Sequence, residues 1–212
     1  MAKRKPHQPN RHRAAPARGA AGNHPARLDA QRGSAGQKSR SESTARPPRT
    51  EIRLRQTPGK PHWEFVHPRS VRDRAEDLEE VHLMIDGGEE EIAVEELRWL
   101  LEGCPDFIEA HKILGELAMT AGDVKLARAH FGYAYDLGMA ALGGRELPGP
   151  LAYERPANQP FFEAAKGLAW SLTQVGLPEK AREVLQRMLR LEPSDPLGAR
   201  GMLAQLEQAH TT

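Results

Sequence analysis

The chain has a single cysteine, Cys104, in 212 residues. One thiol excludes an internal disulfide and any cysteine-based zinc site, and it fits a reducing compartment. Aromatic residues are scarce as well, eleven in all. No stretch approaches the roughly 20 apolar residues that cross a bilayer, so no membrane association is expected. The N-terminal MAKRKPHQPNRHRAAPARGAAGNHPARL is basic, but no apolar run follows it, and it does not read as a signal peptide. A cytoplasmic protein is expected. HExxH, GxSxG, the P-loop and GxGxxG are all absent. No catalytic residue, cofactor, metal or small-molecule substrate is expected.

What is present is unevenly distributed. Residues 1–60 hold fifteen Lys/Arg against three acids, and residues 61–212 hold fifteen against twenty-six. The net charge of +1 therefore averages a +12 arm and a −11 remainder. Positions 1–61 contain no aromatic and only isolated aliphatics such as Ile52 and Leu54. They cannot bury enough apolar surface to offset chain entropy, and a disordered basic arm is expected over 1–61. Such an arm can neutralise phosphates without a fold, though it has no aromatics for base stacking. Nucleic acid or the ribosome, the acidic remainder of the same chain, or no partner at all are the readings it leaves open. Residues 62–70, KPHWEFVHPRS with its flanks, read as an extended strap packing near Trp99. His62 and His67 on this strap would point to opposite sides, facing solvent or capping.

Beyond Arg72 the periodicity becomes helical, with a repeat. Gly88 and Gly122, Ala93 and Ala127, and Leu97 and Phe131 all stand at i and i+34. Gly122 and Gly176, Ala127 and Ala181, and Phe131 and Leu185 all stand at i and i+54. Leu114-Gly115 and Leu168-Ala169 fall midway along first helices, and Pro105 and Pro193 close repeats. A small residue on each first helix lets the alanine of the second approach, and a large apolar residue fills the space beside them. This pattern resembles the tetratricopeptide repeat.

The expected architecture is all-α. Helix-turn-helix repeats run over about 74–107, 108–141 and 162–195, in a domain spanning 71–209. A closing helix covers 196–209, with Asp195 as N-cap and Pro196 in its first turn. Met202, Leu203 and Leu206 would cover the flank of repeat three. The surplus that lengthens the second spacing is an insertion, 142–161, whose prolines and aromatics (Tyr153, Phe161, Phe162) favour an ordered flap. Whether it shields a core or grips a partner stays open. Over roughly 64–200 the chain also resembles a group of uncharacterised bacterial tetratricopeptide-repeat proteins. That likeness implies a bacterial, cytosolic helical-repeat protein and carries no activity with it.

In such arrays the first helices line a concave groove. Here that predicts Leu78, His82, Glu109, Lys112, Glu116, Met119, Glu163, Lys166, Trp170 and Thr173 as a partner-binding surface, with Trp170 either a hot spot or a core residue. Some members of the family clamp a C-terminal carboxylate with Lys, Asn and Arg. Lys112 and Lys166 stand beside glutamates with no asparagine, which disfavours that mode. The acidic run Glu89-Glu90-Glu91 reads as a helix start favoured by the dipole. The expected function is a non-enzymatic scaffold binding a protein segment, the alternative being a nucleic-acid- or ribosome-associated adaptor.

Overall fold

A computed structural model of the chain describes residues 50–210. The expected arm over residues 1–49 lies outside them. The expected boundary at residue 61 is displaced, because residues 50–61 belong to a β-hairpin. Strand β1 (Arg53–Gln56) pairs antiparallel with β2 (Trp63–Val66), Leu54 opposite Phe65. Ile52 is buried and Leu54 packs partly against the same core. Neither could be buried by a lone strand; the turn that brings β2 alongside supplies their cover.

Among the described residues eight α-helices follow: α1 (Arg69–Arg72), α2 (Ala75–Asp86), α3 (Glu90–Gly103), α4 (Ile108–Thr120), α5 (Val124–Leu142), α6 (Gln159–Gln174), α7 (Pro178–Leu191) and α8 (Ala199–His210). The pairs α2–α3, α4–α5 and α6–α7 are the three expected repeats. Their turn glycines, Gly88, Gly122 and Gly176, have φ of 79°, 79° and 74°. That left-handed backbone strains any residue with a Cβ, and it lets each helix reverse in a few residues. Ala93, Ala127 and Ala181 are fully buried, as are Leu97 and Leu185, and Phe131 is 1 % exposed. The Phe131 ring lies so close to Gly115 and Gly167 that a Cβ on either would sit within 2.7 Å of it.

Three local expectations are corrected. The helix foreseen near 71–86 is broken at Asp73–Arg74 into α1 and α2. The strap's Phe65 and Trp63 pack with the core that runs from the hairpin to α8, while Trp99 is half exposed and carries the Arg74 guanidinium 4.3 Å above its ring. The closing helix starts at Ala199 rather than at Pro196. Asp195 adopts φ 56°, and its carboxylate reaches forward to accept from the Ala199 and Arg200 amides at 2.6 and 3.1 Å. It caps the helix from farther back than a standard N-cap. Leu206 is buried and Met202 and Leu203 pack partly against the core, so α8 covers the flank of repeat three as expected.

The insertion is ordered and runs between Gly143 and Asn158, since α5 extends to Leu142 and α6 opens at Gln159 with Pro160 in its first turn. It supplies the outer neighbour of β2. Trp63 N–H donates to Pro150 O at 2.8 Å, and Ala152 N–H to Trp63 O at 3.3 Å. Asn158, fully buried, completes the edge: its Oδ1 accepts from Phe65 N–H at 2.8 Å, and its Nδ2 donates to Trp63 O and Ala152 O. On its other side the insertion caps α7, with Leu151 N–H donating to Leu191 O at 2.8 Å. Glu64 ties hairpin to insertion by accepting from Arg55 at 2.6 Å and Arg155 at 3.0 Å. The Arg55 hydrogen bonds hold its carboxyl below the usual range, joined by Arg155 and against the cost of burial.

Phe161 and Phe162 are therefore not surface residues of a flap. Both are buried, and Phe161 packs edge-on to Phe65 and stacks on Tyr135. Gly138 makes room for it, since a Cβ at that position would overlap the Phe161 ring. Buried side chains fall into two clusters, one of Val71 and α2, α3 and α4, the other running from the hairpin through α8.

Candidate interaction grooves

The expected concave surface exists over repeats two and three. Glu116 and Met119 of α4 and Glu163, Lys166 and Trp170 of α6 line a cavity of about 490 Å³. Phe131 and Gly167 form part of its wall, and Leu197, Met202 and Gln205 close it from the α8 side. Trp170 is partly exposed there rather than sunk in the core. Helical spacing explains the set: positions 163, 166 and 170 share one face of α6, as 116 and 119 do on α4.

Lys112 belongs to the same face but is not available to a ligand. Its ammonium is 3.2 Å from Glu116 and 3.5 Å from Glu163, and the side chain is 11 % exposed. Removing either glutamate would leave a nearly buried charge without full compensation. Tyr153 reaches over from the insertion and donates its hydroxyl to Glu163 at 3.0 Å. Burial, followed by that hydrogen bond, raises the phenol's pKa. The insertion thus touches the groove through Tyr153 alone of the three aromatics expected from it.

The remaining expected groove residues lie elsewhere. His82 is exposed on α2, and Leu78 is buried in the first repeat's core. Glu109 is half-buried at the start of α4 but does not line the cavity. Thr173 turns its hydroxyl back to Ala169 O at 2.9 Å, which occupies it within its own helix. His62 and His67 both turn toward the insertion, contrary to the expectation of opposite sides: His62 faces Glu154 at 3.1 Å and His67 meets Ala157 O at 2.9 Å.

One pair has no signal in the sequence. His111 of α4 and His130 of α5 face each other, Nδ1 to Nδ1, at 3.3 Å, with the Tyr133 ring 4.6 Å from that of His111. Their separation along the chain matches no motif. One nitrogen must donate and the other accept, so both rings cannot be protonated together. Burial first, then the charge of His130, pushes His111 from 6.5 down to about 4. His130 is also lowered, by burial and then by Arg98. The unfolded chain therefore takes up protons in a range where the folded one does not. Stability from this pair is fully present above pH 6.5 and declines as pH falls toward 4. Urea titrations between pH 7 and 5 should show that decline in the parent and a shallower one in His111→Gln. An unchanged slope would assign the titration to other groups.

A second cavity, of about 500 Å³, lies between α3, α4 and α5 and shares no residue with the first. Among the described residues no group of three or more His, Cys, Asp and Glu could hold a metal ion, and no helix is long and apolar enough to cross a membrane.

Residues 162–206 match a family model described as a tetratricopeptide repeat. The match spans α6 and α7 and runs into α8, the part of the chain that carries the Leu168-Ala169, Gly176, Ala181 and Leu185 pattern. No curated protein matches the chain.

Proposed function

From a chain built on tetratricopeptide repeats, we propose a non-enzymatic scaffold that binds a segment of another protein in the groove between α4, α6 and α8. The observation that supports this reading is the cavity in which Trp170, Met119, Leu197 and Met202 offer apolar surface between the charged Glu116, Glu163 and Lys166. An aromatic in a half-enclosed apolar site is the usual anchor of such binding. The carboxylate-clamp mode is disfavoured further, because Lys112 is already held by two glutamates. A segment that sinks one apolar side chain against Trp170 fits better. It needs a hydrogen-bond donor for Glu116 and an acceptor for Lys166 on either side of that anchor.

The test is a peptide array probed with the full chain. Peptides it selects should bind Trp170→Ala at least ~10-fold more weakly, the size of a hot-spot loss. Equal binding by that variant, with its thermal melt unchanged, would overturn the assignment of the groove.

A further inference from the structure

The second cavity is walled by two helices of different repeats. On α3 the wall runs along Glu91, Val94, Glu95 and Arg98; on α5 it includes Leu126 and His130. The floor is apolar, Leu114 and Leu117 with Ala118 and Ala121, whose small side chains leave depth. The α5 wall continues as an exposed stripe, since Leu126 and Tyr133 are 42 % and 38 % exposed and stand at i and i+7 on one helical face. Each wall is thus two turns long, about 10 Å. A trench of that length between two helical walls suits the apolar stripe of a helix better than an extended chain.

Its charge is one-sided. Glu90, Glu91 and Glu95 line it, and none of the three has an ion-pair partner among the described residues. The helix dipole accounts for acids in the first turn of α3. It does not account for Glu95, a turn farther along the same wall, where it stands one turn from Glu91 and repels it. On the α5 side the lining group is His130, whose pKa is lowered by burial and then by the charge of Arg98. Arg98 is the one cation of the lining, and it stands at the other end of the α3 wall.

We propose that this groove between α3 and α5 docks an amphipathic helix of another protein, with apolar residues on one stripe and lysine or arginine flanking it. The cations of that helix would cluster at the end that meets Glu90, Glu91 and Glu95. Its apolar residues at i, i+3, i+4 and i+7 would lie against Val94, Leu126 and the alanine floor. The site is separate from the concave groove, and its occupation does not depend on what binds there.

The experiment uses the full chain and three fluorescent helices of about 18 residues, roughly 27 Å long. One has leucines on the stripe and lysines beside it, a second has glutamates in place of the lysines, and a third has serines in place of the leucines. Anisotropy should show the leucine–lysine helix binding at least ~10-fold more tightly than either of the others, a difference of about one decade in Kd. Leu126→Glu, and separately Glu91→Lys with Glu95→Lys, should each weaken it by a similar factor. These positions are exposed, so the variants should melt like the parent. Trp170→Ala should leave binding unchanged. The proposal fails if the leucine–lysine helix does not bind, if the serine version binds equally, or if neither α3–α5 variant weakens it. A loss seen only in Trp170→Ala would put the helix in the concave groove and also overturn it.

Discussion

Truncating Phe131 to alanine is expected to lower stability by about 3–5 kcal/mol, as for a fully buried ring. The ring is held between α4 and α6, with Gly115 on one side and Gly167 on the other, each too close to accept a methyl group. Helix backbones cannot collapse into the vacancy without moving both repeats, so little of the lost contact is recovered. Chemical denaturation at constant m-value measures the loss. The repeat itself provides a stricter test. Where repeat two has Gly115 and Phe131, repeat three has Ala169 and Leu185, both at the i+54 offset of the other markers. The small and large partners have traded volume. Gly115→Ala alone should cost about 1–3 kcal/mol through overpacking. Combined with Phe131→Leu, it should cost less than the two single changes added together. Strict additivity would mean that the two positions do not share a space.

Asn158→Ala is expected to cost about 1–3 kcal/mol. The two carbonyls that Nδ2 serves keep other donors, Trp63 O from Ala152 and Ala152 O from Arg155. Phe65 N–H has its acceptor in Oδ1 alone, and burial makes an orphaned donor expensive. Asn158→Asp should be no milder, because it would turn a carboxylate oxygen toward two carbonyls. Amide exchange at Phe65 is the specific readout. It should accelerate in both variants while exchange in α2 and α3 stays unchanged. An Asn158→Ala protein as stable as the parent would show that water or a backbone shift replaces the amide.

The repeats are legible because their geometry uses residue types with few substitutes. A turn glycine in left-handed conformation, an alanine at a helix crossing and a large apolar residue beside it leave a period in the text that three pairs of positions report alike. The order of the insertion is legible from its prolines, Pro148, Pro150 and Pro156, with Pro160 opening the next helix, but its partner is not. EIRLRQ and WEFV alternate in period two around TPGK, whose Gly59 has φ 73°, and this is a hairpin signal. The arginines mask it, making Ile52 and Leu54 look isolated in a basic arm. Asn158 carries no signal, since one polar residue among prolines is indistinguishable from a loop residue until its neighbours are known. In the concave groove, five of the expected side chains converge because helical spacing fixes their common face. Those expected from α2 do not, because the first repeat keeps its own core. The histidine pair joins two helices through tertiary packing, which no local pattern encodes.

The hairpin's grip on the insertion changes how this array can fold. Stacked helical repeats interact with near neighbours in sequence, so they behave almost as a one-dimensional chain whose ends fray independently. Here Phe65 bonds Asn158 across 93 positions and Trp63 bonds it across 95. Those pairings enclose both repeat one and repeat two, which raises contact order and is expected to slow folding. They also tie the hairpin to the insertion that leads into repeat three, so these parts are expected to unfold together rather than to fray separately.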